Sequence, residues 1–183
     1  VRDDRLHLLL ERAATLLRAE MRVLATEHGL KLAQLEALHY LGICNRYSDT
    51  PAALSEYLGA TKGTVSQTLL SLERKGLISK VADACDKRSQ HCTLTRAGRE
   101  LFDSTFPSPV TQSASKNVER ELSDALEAWL RRLQQERGHE PFGICRTCSH
   151  YRRKSSGGQC GLTSEPLSAI DSGKICREHL PVV

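Results

Sequence analysis

Four cysteines crowd the last 39 residues of this 183-residue chain, in the spacing Cys145-x2-Cys148-x11-Cys160-x15-Cys176. Thiolates are soft ligands, and four of them can close one tetrahedral metal site or hold one iron–sulfur cluster. The Cys-x2-Cys pair bites a metal centre from one side, and the separated cysteines close from the other. Cys44, Cys85 and Cys92 lie far apart in the first 138 residues and read as core or surface thiols, with Cys85 a candidate redox-sensing thiol. Asp3, Asp4, Glu11 and Glu20 interrupt the leucines of the first thirty residues, which therefore do not read as a secretory signal. A cytoplasmic setting is expected, and there cysteines serve as ligands or free thiols rather than disulfides. No run of eighteen apolar residues marks a membrane span.

Beyond these cysteines, the chain divides near Gly138-His139-Glu140-Pro141. Residues 1–138 read as a helical domain and 139–183 as a cysteine-rich segment. Phe142, Ile144, Tyr151, Leu162, Leu167, Ile170 and Ile175 are the apolar complement of that segment. They are too few to order it, so a metal or cluster must staple it. A zinc ribbon usually supplies two Cys-x2-Cys knuckles, and here the second is broken into single cysteines. The segments Cys145-Arg-Thr-Cys148-Ser-His-Tyr151 and Gln159-Cys160-Gly-Leu162, with Cys176 beyond, resemble high-potential iron–sulfur proteins over roughly 35 residues. That resemblance implies a [4Fe-4S] cluster on Cys145, Cys148, Cys160 and Cys176, with Phe142 and Tyr151 as the aromatic shield. The alternative is Zn2+, with His150 or His179 able to replace a thiolate. Otherwise both histidines read as solvent-exposed.

The first 138 residues are mainly α. Leu6, Leu10, Ala13, Leu17, Met21 and Leu24 fall at steps of three and four, so residues 3–27 form a helix that Gly29 ends. A second helix covers 32–45, with Leu32, Leu35, Leu38 and Leu41 inward. Thr50-Pro51 starts a short helix that Gly59 stops. Another runs from Thr61 to Lys75 and ends at Gly76. Leu77–Val81 and His91–Thr95 read as two strands of a hairpin around a polar stretch, Asp83–Gln90. A helix follows from Thr95 through Leu101 and Phe102, and Pro107 and Pro109 interrupt. A long helix spans 112–137, with Val118, Leu122, Ala125, Leu126, Trp129, Leu130 and Leu133 on one face.

Short helix, tight turn, helix and hairpin in this order make a winged helix-turn-helix. The net charge of +4 with pI near 8.7 is compatible with nucleic acid. Between Ala60 and Glu100 stand eight Lys or Arg against four Asp or Glu, so the basicity is concentrated in this unit. Val65, Leu69 and Leu72 face inward on helix 61–75. Gly63, Thr64, Gln67, Ser71 and Arg74 lie opposite, small or hydrogen-bonding side chains that suit a major groove. The candidate DNA-binding residues are Lys62, Gly63, Thr64, Ser66, Gln67, Ser71 and Arg74 on this helix, with Lys87 and Arg88 at the wing tip. Gln67 can pair with an adenine, and Lys62, Arg74 and Lys75 can reach phosphates. Aromatic residues make up only 4% of the chain, which argues against a single-strand binder built on stacking.

The stretch Leu30–Phe102 resembles the MarR-type transcriptional regulators. The likeness is carried by Ala53-Leu54-Ser55-Glu56-Tyr57-Leu58-Gly59, Thr64-Val65-Ser66-Gln67, Leu72-Glu73-Arg74-Lys75-Gly76-Leu77-Ile78, Asp86-Lys87-Arg88-Ser89 and Leu94-Thr95-Arg96-Ala97-Gly98. It implies a homodimer whose first and last helices pair and whose two wings grip palindromic double-stranded DNA. It also implies that Arg88 enters the minor groove and that Asp86 braces the wing. The position of Gln67 is often arginine in such proteins, and the family usually ends soon after its last helix, whereas 45 residues follow here. The long apolar stripes on helices 3–27 and 112–137, beyond what a small winged core consumes, agree with a dimer.

These readings combine into a cytoplasmic, homodimeric, sequence-specific DNA-binding regulator whose affinity depends on a C-terminal four-cysteine iron–sulfur cluster sensing redox state, iron or an oxidant. The alternatives are the same regulator with a structural zinc site, or an electron carrier with an incidental helical domain. An enzyme is not expected: there is no glycine-rich phosphate loop and no Gly-x-Ser-x-Gly elbow.

Overall fold

The computed structural model describes residues 4–82, 90–112, 114–137, 142–155 and 157–182. Local signals set the helix ends. Helix α1 spans Arg5–Glu27 and α2 spans Leu32–Ile43, with Gly29 in the left-handed region between them. Helix α3, Pro51–Leu58, begins where Thr50 Oγ1 accepts the Ala53 N–H, and it ends at Gly59 with φ +61°. Helix α4, Lys62–Arg74, is capped by Thr61 Oγ1, which accepts the Thr64 N–H at 3.2 Å. Strands β1, Ile78–Ala82, and β2, Gln90–Leu94, pair antiparallel with Ile78 opposite Leu94. The turn between them, with Cys85, Asp86, Lys87 and Arg88, lies outside the described residues.

Thr95 caps helix α5, Arg96–Thr105, and its own hydroxyl donates to the Gly76 carbonyl at 2.7 Å. A Cβ on Gly98 would stand 1.9 Å from the Leu77 carbonyl oxygen. Only glycine therefore lets α5 lie this close to the start of the hairpin. The short α6, Pro109–Gln112, precedes the long α7, Lys116–Arg137, where the sequence pattern reads one helix from 112. The expected boundary at 138–141 lies outside the described residues.

Helix α2 is the centre of the domain, packing against α1, α3, α4, α5 and β2. The sequence pattern predicts one inward face. Instead Gln34, Leu35, Ala37, Leu38, His39, Tyr40, Leu41 and Gly42 are all buried, because neighbours cover the helix from several directions. The core continues through Ala53, Leu54, Val65, Leu69, Leu72, Ile78, Cys92 and Phe102. By contrast, the N-terminal half of α1 and most of α7 stand clear of it. Leu6, Leu8 and Leu9 on α1 and Val118, Leu122 and Leu130 on α7 are all exposed. Among the described residues no helix is long and apolar enough to cross a membrane.

The tail is built of short pieces. Strand β3, Gly143–Ile144, leads into a single 3-10 turn, Cys145–Thr147. Strands β4, Tyr151–Lys154, β5, Gly157–Cys160, and β6, Pro166–Leu167, form a three-stranded antiparallel sheet. The one-turn helix α8, Ala169–Ser172, leads to β7, Ile175–Cys176, which pairs back with β3. Its core is small: Cys145, Leu167 and Cys176, flanked by Tyr47, Tyr151 and Cys160. Leu162 and Ile170, counted in the sequence as apolar complement, are exposed.

Candidate functional site

Two groups of side chains carry the chemistry. The first is the outer face of α4. Val65, Leu69 and Leu72 are buried as the helical period requires, and Lys62, Gly63, Thr64, Ser66, Gln67 and Arg74 are exposed together. Neither Lys62 nor Arg74 has an ion-pair partner among the described residues, so both cations are available to a polyanion. Other residues of this group have internal partners. Ser71 is half-buried and its Oγ accepts from Gln34 Nε2 at 2.6 Å, which ties α4 to α2. Lys75 Nζ donates to the Gly29 carbonyl at 3.0 Å. Lys80 pairs with Glu73 at 2.9 Å. Lys87 and Arg88 lie outside the described residues.

The second group is a cavity of about 300 Å³ lined by Cys145, Cys148, Cys160 and Cys176. The fold brings together all four cysteines that the spacing singles out. Cys145 enters on the 3-10 turn, Cys148 follows it, Cys160 ends β5 and Cys176 ends β7. Burial, and then the nearness of Cys176, Cys148 and Cys160, push the Cys145 thiol up to about 12. As thiolates, four sulfurs lining one cavity would need a cation to offset their charge. The backbone is already arranged toward the sulfurs, since the Leu180 N–H donates to Cys148 Sγ at 3.3 Å. Among the described residues no three His, Cys, Asp or Glu side chains converge tightly enough for one metal ion. Four sulfurs around a common space are a donor set of the kind that a metal ion or an iron–sulfur cluster takes.

The cavity is not made by the tail alone, which the sequence does not show. Arg46, Tyr47 and Thr50, from the segment joining α2 to α3, and His91 on β2 form its other wall. Tyr47 is the aromatic neighbour that sequence reasoning missed. Its hydroxyl bonds Glu165 at 2.6 Å and its ring packs against the tail core. Tyr151 lines the cavity as expected, and a Cβ on Gly158 would stand 2.2 Å from its ring, so glycine is required beneath it. Phe142, expected beside it, packs instead on Tyr40 and Tyr57 of the winged domain, with ring centroids 6.4 and 5.2 Å away. The histidines also differ from the expectation of exposure. His150 is half-buried at the cavity wall, and His179 is buried, with Nε2 3.0 Å from Thr147 Oγ1. Burial lowers the His179 pKa. Cys44 and Cys92 are core thiols, pushed up to about 12 and about 11 by burial.

The tail docks on the same loop. The Asn45 N–H donates to the Ile175 carbonyl at 2.8 Å, and the Arg177 N–H to Ser48 Oγ at 2.8 Å. The Arg177 guanidinium forks onto Glu56 of α3, and Arg46 pairs with Glu165 at 3.0 Å. Asp49, next in the loop, bonds His91 at the base of the hairpin, and its carbonyl accepts the Cys92 N–H at 2.7 Å. The cysteine cavity, the start of α3 and the root of the wing thus share one short loop.

Residues 28–89 match the profile of the MarR family. No curated protein matches the chain. Among solved structures, the MepR–DNA complex of S. aureus is 25% identical, with a TM-score of 0.54 over 69% of this chain and 96% of that one. A MarR transcriptional regulator from Methanosarcina mazei Go1 is 19% identical, with a TM-score of 0.60 over 73% and 99%. A MarR-family regulator from Rhodococcus sp. RHA1 is 16% identical, with a TM-score of 0.56 over 70% and 94%. These last two speak to the fold, which is the same mainly helical winged arrangement with a hairpin wing. Residues 28–89 are thus similar to the MarR family, and their described part folds as a winged helix-turn-helix in a chain that continues into a cysteine-rich tail.

Proposed function

We propose that the chain is a homodimeric, sequence-specific DNA-binding transcription regulator whose affinity for its operator depends on an iron–sulfur cluster held by Cys145, Cys148, Cys160 and Cys176. The observation that carries this reading is the shared loop. Arg46, Tyr47 and Thr50 wall the cysteine cavity, and Thr50 caps α3, so a change at the sulfurs reaches the helix-turn-helix without crossing a second domain. The exposed polar face of α4 supplies the reading surface. A solved relative of the same fold, MepR, was crystallised with DNA.

The dimer is supported by apolar side chains on α1 and α7 that stay exposed among the described residues. Leu6, Leu8 and Leu9 are each about 60% exposed, and Trp129 stands with Leu122 and Leu130 on α7. Such contiguous apolar stripes belong in a helix–helix seam. When bound, the cluster supplies a centre whose charge changes with oxidation and whose loss removes the staple on the tail. The residues that respond belong to the protein: Arg177 and Ser48 hold the tail to the loop, and Asp49 holds the loop to the wing.

The test is an absorption spectrum of protein purified without oxygen, with iron, sulfide and zinc counted per chain. Operator binding is then compared between loaded and stripped protein. Expected are a brown protein with iron and sulfide and a difference in operator affinity between the two forms. One tightly held zinc in a colourless protein overturns the iron–sulfur reading, and equal affinities overturn the sensor.

A further inference from the structure

We propose that Asn45 is a positioning residue for the cysteine centre, donating an N–H···S hydrogen bond from its side-chain amide to the metal-bound sulfur of Cys176. This rests on the four-cysteine reading given above. Asn45 is only 1% exposed, and its Nδ2 has no hydrogen-bond partner among the described residues. Buried donors are rarely left unmatched, and such an orphan calls for an explanation. The orientation of the amide is settled by its other end. Asn45 Oδ1 accepts the Tyr47 N–H at 3.1 Å and the Ser48 hydroxyl at 2.9 Å, so the NH2 group must point the other way. There it faces the Cys176 sulfur.

An orphan N–H held against a ligand sulfur is a donor in need of a more basic acceptor. A neutral thiol is a weak one, and a metal-bound thiolate is a good one. Hydrogen bonds to cluster sulfurs disperse their negative charge and raise the reduction potential, and partners of metal ligands steady the centre. Asn45 and Ser48 both approach the Cys176 sulfur from the winged domain. The Leu180 N–H belongs to the tail, whereas Asn45 belongs to the winged domain. Ser48 completes the link, since it bonds Asn45 Oδ1 and accepts the Arg177 N–H two residues before Thr50 caps α3. Charge on Cys176 is therefore felt, through Asn45 and Ser48, by the loop that opens the helix-turn-helix.

The experiment compares the full-length chain with Asn45→Asp, which keeps the acceptor oxygen for Tyr47 and Ser48 and replaces the donor with a carboxylate beside the sulfur. Cluster-loaded protein is titrated for its midpoint potential, and the rate at which excess EDTA strips the metal is measured. For a chain that takes zinc, cobalt(II) replaces it and the sulfur-to-cobalt charge-transfer band is recorded. Expected for Asn45→Asp are a lower midpoint potential or a red-shifted cobalt band, with stripping at least about tenfold faster. Thermal unfolding reports whether the variant folds. If it does not, Asn45→Ala, which removes the donor without adding charge, carries the same readouts with a smaller displacement in the same direction. A folded variant with unchanged potential, band and stripping rate overturns the role of Asn45 and leaves the centre standing. Wild-type protein that takes up neither iron with sulfide nor zinc nor cobalt overturns the four-cysteine reading, and the proposal with it.

Discussion

Arg177 grips Glu56 with both arms of its guanidinium, Nε to Oε2 at 2.6 Å and Nη2 to Oε1 at 2.8 Å, and so fastens the cysteine-rich tail to the helix that precedes the reading helix. The two residues are 121 positions apart in sequence and both are about a third exposed. Exposed ion pairs contribute little, but a bidentate fork lies at the strong end of that range. Arg177→Ala should therefore cost about 1 kcal/mol or less, lower the thermal midpoint by about 2–4 °C and make the tail easier to cleave. Limited proteolysis with a melting curve checks this. An unchanged cleavage rate would mean that Ser48 and Asn45 hold the tail without Arg177.

Gln67 and Arg88 should fail in different ways on DNA. Gln67→Ala removes a base-edge contact from the exposed face of α4 and should lose discrimination at about 1–3 kcal/mol per half-site, with little change on random duplex. Arg88→Ala should weaken binding to every duplex and flatten the salt dependence. Salt titrations on operator and random DNA separate the two. Equal losses on both sequences for Gln67→Ala would contradict its reading role.

The exposed stripes predict assembly. Trp129→Glu or Leu122→Glu would place a charge in the seam at a cost of several kcal/mol. Sedimentation should then show monomers, with operator binding reduced accordingly. A variant that sediments as a dimer places these side chains outside the interface.

Each of Cys145, Cys148, Cys160 and Cys176 should be required for the bound metal, and Cys44 and Cys92 should not. The first four line one cavity, whereas the other two sit in the winged core. Cys→Ser at any of the four should abolish colour or tight metal binding and expose residues beyond 142 to protease, because the tail core is small. Metal counts on all six variants decide it.

His39 predicts a loss of stability in acid. Burial lowers its pKa from 6.5 to about 4, and it lies against Phe102 and Phe106 with Nε2 2.8 Å from Thr105 Oγ1. The folded state therefore holds the neutral ring, while the unfolded chain takes up a proton below its ordinary value. The contribution is fully present above about pH 6.5 and is lost as pH falls toward about 4, by at most about 3 kcal/mol. Urea unfolding at several pH values should show this slope in the wild type and a flatter one in His39→Gln.

Thr50-Pro51, Gly59, Thr61 and Thr95 mark their helix ends in the sequence because a cap acts within three residues of itself. The period of α4 likewise separates Val65, Leu69 and Leu72 from the exposed face, and the cysteine spacing picks out the four residues that line the cavity. What escapes is every relation between distant segments. Helix α2 reads as one-sided, since periodicity registers one apolar face and not the number of neighbours that will cover the others. Phe142 reads as a shield for the tail but joins Tyr40 and Tyr57, and Tyr47 takes a place at the cavity that nothing near it in sequence marks. Ser71 reads as a surface donor until Gln34 bonds it. The docking of the tail on residues 44–49 and Glu56 depends on surfaces more than a hundred residues apart. Local propensities carry no information about which of those surfaces meet; packing in three dimensions does.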